Sequence, residues 1–357
     1  MNLNPLLGVL FHWLGGLSSA SFYVPYKRIR LWSWEIFWLT GGIFSWLLAP
    51  WIGAFIGSKD LIHVLSSVPQ HTLLICYLCG AGWGLGGLTF GLTMRYLGLS
   101  LGMAVALGLT TVIGTVGPPI VQGTLGALIA KPGSQYTFIG IAVVIIGIII
   151  VAMAGHAKEK QLANVVGDAN TPDRGEFDLK KGFFIAVFSG VMSSFFAFGL
   201  AAGDPIRAAS AAAGTGALWV GLPVLCVVLA GGFTTNFLWC AYLILKNKSA
   251  GEWVGKTAAP TAGKTPLLVN FLLAALGGTL WYFQFFFYTM GESQMGKYGF
   301  SSWTLHMASI ILFSTLWGFA LKEWKGTANR TRFLVWLGIG TLVISTIIIG
   351  IGNMLAK

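Results

Sequence analysis

Asn270, Gly277, Trp281, Gln284 and Tyr288 are spaced seven, four, three and four apart, so they fall on one face of a helix. The stretch from Trp281 to Tyr288 reads WYFQFFFY. An aromatic ring suits the apolar CH face of a sugar, and the amides of Gln284 and Asn270 suit its hydroxyls. Binding pockets are mostly apolar with a few placed polar groups. The same pattern also fits plain packing, with Gln284 satisfying a neighbouring helix, and both readings stay open. His12, Gly16, Ser19, Tyr23 and Tyr26 form a similar stripe, which adds His12 and Tyr23 to the substrate-binding candidates. Ser302, His306, Ser309 and Phe313 form a third. An imidazole titrates near neutral pH, with an unperturbed pKa of about 6.5, so His306 is a candidate proton carrier or else a neutral histidine bonded across helices. Glu35 follows Lys27, Arg28 and Arg30 at the start of an apolar run. It is either a charge favoured by the helix dipole or a proton-coupling carboxylate. Arg95, at the end of another run, is expected to snorkel or to pair with Glu35.

Enzyme chemistry finds no foothold. The chain has no GxSxG, no HExxH and no carboxylate pair within one apolar segment, and its five histidines are scattered. Cys76 and Cys79 have CxxC spacing, but no second pair of ligands stands near them. All four cysteines lie in apolar runs and read as buried structural residues, so no metal and no cofactor is expected.

The elements that carry these residues are membrane spans. Hydrophobic residues make up 55% of the 357 and charged residues only 9%, where a soluble domain has about 25% charged. A spanning helix needs about 20 mostly apolar residues, and such runs recur at roughly 5–25, 33–56, 72–94, 99–122, 135–154, 181–201, 213–245, 266–290, 300–321 and 331–354. The first run lacks the basic lead and small-residue exit of a secretory signal, so it is expected to be retained. The polar stretch 156–180 reads as a solvated linker between a first set of five helices, 1–155, and a second, 181–357. An odd number of helices per half means that halves sharing one fold would be inverted repeats, a transporter plan with the substrate near the midplane. Helix pairing through GxxxG spacings such as Gly80/Gly84 is expected. Gly117, Pro118 and Pro119 should break the fourth helix and serve packing or gating. Pro50 and Pro223 are weaker signals of the same kind.

Of the 22 lysines and arginines, 17 fall in alternate connections, which places those loops in the cytoplasm and both termini outside. The net charge of +11 is thus a topology signal and not a nucleic-acid-binding face.

The stretches FHWLGGLSSASFYVPYKR (11–28), WSWE (32–35), LTMRYLGLSLG (92–102), FDLKKG (177–182), GGTLWYFQFFFYTMG (277–291), SWTLHM (302–307) and LKEW (321–324) occur in an informative order. On these the chain resembles the bacterial L-rhamnose–proton symporters (RhaT type) of the drug/metabolite transporter superfamily. The resemblance implies ten helices, an inner-membrane location and proton-driven uptake of a deoxyhexose. The run Phe285, Phe286 and Phe287 would offer an apolar wall for a C6 methyl group. A carrier of other metabolites on the same architecture is the alternative, although sparse intramembrane charge favours a neutral substrate. A membrane sensor would need an output domain, and the longest loop has only about 26 residues.

Overall fold

The computed structural model describes residues 4–97, 99–166, 178–256, 265–322 and 324–355. Most of the expected linker, 167–177, lies outside the described residues, as do 257–264 of the seventh connection and Glu323 of LKEW. Among the described residues the fold is helical. Nine helices are long and apolar enough to cross a membrane, and Val105–Val121 is a tenth, shorter apolar stretch.

In chain order the main helices are α1 (Pro5–Ser21), α2 (Trp34–Gly57), α3 (Gln70–Leu97), α4 (Leu99–Val121) and α5 (Ser134–Val166). They continue with α6 (Leu179–Ala202), α7 (Leu222–Asn247), α8 (Leu267–Gln294), α9 (Ser302–Ala320) and α10 (Asn329–Leu355). All ten expected helices are present. Three of them, α5, α7 and α4, differ from expectation in extent or form for a local reason.

First, α5 runs to Val166, past the apolar core and into the expected linker. Residues 157–163, AKEKQLA, are good helix formers. Gln161 anchors the extension: its Nε2 donates to Thr331 Oγ1 at 2.8 Å and its Oε1 accepts the Ala328 N–H at 2.9 Å. Second, α7 begins at Leu222 rather than 213. The stretch before it turns at Gly214, whose φ of +89° a β-carbon would strain. Pro223 then sits in the first turn of α7, where a missing N–H is harmless. Third, α4 is not broken at mid-depth. Pro118 and Pro119 lie within its last turn, and the helix ends two residues later. The Pro118 carbonyl still accepts the Gln122 N–H at 2.9 Å.

Pro50 does deform its helix. The segment Ile43–Leu48 of α2 is a wide π turn, in which the Ala49 N–H reaches back five residues to the Phe44 carbonyl. A proline at 50 has no N–H for the Trp46 carbonyl four residues earlier, and its ring crowds that carbonyl, so the ladder widens.

The contacts form two compact units. The first comprises Met1–Leu17, Leu85–Phe198 and Gly291–Lys357; the second comprises Ser18–Gly84 and Gly199–Met290. Each draws on both halves of the sequence. In the first, Val144 and Ile148 of α5 pack with Leu305, Ala308 and Ile311 of α9 and with Leu342 and Ile349 of α10. In the second, Trp32, Ile36 and Leu39 pack with Cys240 and Ile244 of α7 and Ala274 of α8. Gly80 lies against the Val228 backbone and Gly231 against the Tyr77 carbonyl, so α3 and α7 meet main chain to main chain. Lipid supplies no hydrophobic drive between helices, and such close approach is how they associate.

Candidate functional site

The second unit holds an aromatic cluster centred on Trp281 of α8. Its ring lies 4.0 Å from that of Phe22, 5.2 Å from Trp38 and 6.0 Å from Trp46, centroid to centroid, all edge-on. Trp83 of α3 extends the cluster, 6.2 Å from Trp46 and 5.4 Å from Phe285. Four helices or their ends supply these rings. Trp46 sits in the π turn of α2, which re-aims it relative to a regular helix. Trp38 is oriented by Asn236 of α7: its indole N–H donates to Asn236 Oδ1 at 3.0 Å, while Asn236 Nδ2 donates to the Gly232 carbonyl at 2.8 Å.

Several polar groups in this cluster are not satisfied by protein. The indole N–H groups of Trp281 and Trp46 are buried and find no hydrogen-bond partner among the described residues; nor does the buried hydroxyl of Tyr282, whose ring packs on Phe286 beside the cluster. Gln284, one turn after Trp281, is 5% exposed and likewise makes no hydrogen bond among them. A buried unsatisfied group costs about 1–3 kcal/mol. Rings for stacking, beside donors and an amide awaiting partners, are what a polyhydroxylated neutral solute requires. The packing alternative for Gln284, a bond to a neighbouring helix, is not what the geometry displays.

The other candidates are placed differently. Asn270 clamps the turn after α1: its Nδ2 donates to the Arg30 carbonyl at 2.7 Å and its Oδ1 accepts the Arg30 N–H at 3.3 Å. Both ends of its amide are therefore engaged by backbone. Tyr23 packs edge-on against Phe22 and Tyr26 and is 42% exposed. Tyr288 is buried. Of the three consecutive phenylalanines, Phe285 joins the cluster and Phe286 packs on Trp219 at 5.5 Å. Glu35, in the first turn of α2, is buried and its Oε1 accepts from Asn247 Nδ2 and Ser249 Oγ, each at 2.9 Å. That clasp joins the start of α2 to the end of α7. The Arg95 side chain lies outside what the structure describes.

His12 and His306 belong to the first unit and are brought together there. Both rings are buried, with centroids 6.3 Å apart in an edge-on arrangement. Ser309 Oγ links their backbones, 2.8 Å from the carbonyl of His12 and 2.8 Å from that of His306. Gly291 gives His12 its room, since a β-carbon there would meet the imidazole at 2.8 Å. Polar contacts also tie α9 to α4: Thr304 and Thr115 share a hydroxyl–hydroxyl bond of 2.7 Å, and the Trp303 indole donates to the Thr110 carbonyl at 2.9 Å. Gly117 lies against the Phe198 ring, two turns from Thr110 on the same helix, and Pro118 and Pro119 follow it.

Residue spacing pointed to Trp281, Gln284 and the two histidines. It missed Trp38, Trp46, Trp83 and Asn236. Only Trp46 carried a local signal, standing four residues before Pro50.

Ten apolar helices and a buried cluster of indoles and unpartnered polar groups define a multi-pass membrane transporter for a small solute. The comparisons narrow this class. The chain belongs to the L-rhamnose-proton symport protein (RhaT) family, whose model matches residues 1–356. It is 38% identical over 347 residues to the L-rhamnose-proton symporter of Cronobacter sakazakii, with 97% of each chain covered. It is 37% identical over 355 residues to that of Yersinia pestis, with 99% of each covered.

Proposed function

We propose that this chain imports L-rhamnose, or a closely related deoxyhexose, together with a proton, by alternating access around the Trp281 cluster. The observation that carries the reading is the pairing of edge-on indoles with buried donors that find no hydrogen-bond partner among the described residues. In this reading Trp281 stacks on the sugar ring, Gln284 and the free indole N–H groups bond its hydroxyls, and Tyr288 and Tyr23 flank the path. Asn270 acts by holding the α1–α2 turn. The proton is carried by His306 with His12 as its neighbour, or by Glu35. Arg95, Gly117, Pro118 and Pro119 belong to the moving parts and their packing. The chain is further read as two inverted repeats, 1–155 and 181–357, in a bacterial inner membrane with both termini periplasmic.

The energetics allow one proton per sugar. A unit charge crossing 100 mV is worth about 2.3 kcal/mol. A potential of about 150–200 mV thus supports accumulation on the order of several hundred-fold to a thousandfold.

The test is uptake of labelled L-rhamnose into vesicles containing the purified chain, under an inward proton gradient, with and without a protonophore. Accumulation that collapses with the protonophore is the expected result. No uptake from a folded preparation would overturn the substrate assignment and direct a screen of other sugars.

A further inference from the structure

A pocket of about 520 Å³ is lined by Lys27, Arg28 and Arg30 together with Pro266, Val269 and Leu273. We propose that it binds the anionic headgroup of a phospholipid, with the acyl chains lying along α8.

The position fits a lipid. One apolar span, Pro5–Tyr26, ends directly before the three basic residues, and another, Leu267–Gln294, begins directly after Pro266. The basic side chains therefore stand at the depth where spans meet headgroups, and Val269 and Leu273 lie a turn deeper. Below the pocket α8 turns Leu268, Val269, Leu272 and Leu276 outward, all exposed, with Leu268 at 73%. No acidic side chain lines the pocket among the described residues.

The site is also built in advance. Asn270, one turn into α8, holds both the N–H and the carbonyl of Arg30. The Arg28 and Ile29 N–H groups bond back to the Pro25 and Tyr26 carbonyls at 3.0 and 3.1 Å, which curls the basic segment over the helix start. A phosphodiester offers acceptor oxygens to forked guanidinium groups, and basic pockets between membrane helices are suited to such headgroups. A free phosphate shares the headgroup chemistry but would leave the apolar floor of the pocket unused.

Native mass spectrometry of the full chain in detergent tests this, with phosphatidylglycerol or phosphatidylcholine added. Wild-type protein should retain phosphatidylglycerol in preference to phosphatidylcholine, and inorganic phosphate at millimolar concentration should not displace it. In the double variant Arg28→Gln, Arg30→Gln retention should fall about thirtyfold, which corresponds to about 1 kcal/mol per basic residue. Lys325→Gln, Arg330→Gln, altered in another basic connection, should behave as wild type. Equal retention of the two lipids, equal loss in both double variants, or displacement by phosphate would each overturn the proposal. The lipid-preference and phosphate arms use only wild-type protein, so they decide the matter even if the arginine variant does not fold.

Discussion

The two units place their hydrogen bonds differently, although among the described residues each keeps buried indole N–H groups without one, Trp13 and Trp324 in the first and Trp46 and Trp281 in the second. In the second, among the described residues, Trp281, Trp46 and Tyr282 keep buried donors without hydrogen-bond partners, and Gln284 keeps an unbonded amide. In the first, polar side chains engage one another across helices: Ser309 with the backbones of both histidines, Thr115 with Thr304, and Trp303 with Thr110. Unmet hydrogen-bonding capacity marks a place where a solute gains affinity. Bonds that tie the backbones and helices around a pair of titratable rings mark a place built to hold those rings at a set distance. The contrast predicts that solute recognition and proton coupling can be separated by mutation.

The largest effect should come from the Trp281 cluster. Gln284→Ala, which leaves solute hydroxyls unpaired, and Trp281→Ala, which removes the stacking face, should each lower rhamnose uptake by roughly 10²- to 10³-fold while membrane insertion stays intact. Wild-type transport by either variant would break the comparison at its centre. Next comes His306→Ala, which should abolish accumulation against a gradient but retain counterflow of labelled sugar. If accumulation survives, the histidine pair is not the coupling device.

Glu35 offers a finer discrimination. Glu35→Gln keeps an oxygen able to accept from Asn247 and Ser249, so a carboxylate acting only as a clasp predicts near-normal uptake, with loss of accumulation only if its proton matters. Glu35→Ala removes the clasp outright and should lower stability by about 1–3 kcal/mol, read by thermal unfolding in detergent. The smallest effect is expected for Asn270→Ala. It frees the Arg30 backbone and should lower stability by about 1–2 kcal/mol, with the sugar KM little changed. A large rise in KM would return Asn270 to the solute site.

Much of this was readable along the chain. Apolar runs of spanning length determined the ten helices, because lipid requires every span to satisfy its own backbone. Helical periodicity determined that Trp281, Gln284 and Tyr288 share a face. The helical continuation of α5 beyond residue 155 is also present in the sequence as a run of good helix formers, masked by the polar composition of 156–180. What neighbouring helices place opposite a given face is not local information. Asn270 looked the same as Gln284 by spacing, yet tertiary contacts engage one amide with the Arg30 backbone and, among the described residues, leave the other unbonded. Trp38, Trp46 and Trp83 come from separate stretches of α2 and α3, and they join Trp281 only through the packing of α2, α3, α7 and α8. The two histidines, almost 300 residues apart in sequence, become a pair only where Gly291 leaves room and Ser309 ties two backbones. Spacing sets which residues share a face of one helix, whereas the approach of helices, governed by small residues and crossing contacts distributed over the whole chain, decides which faces meet.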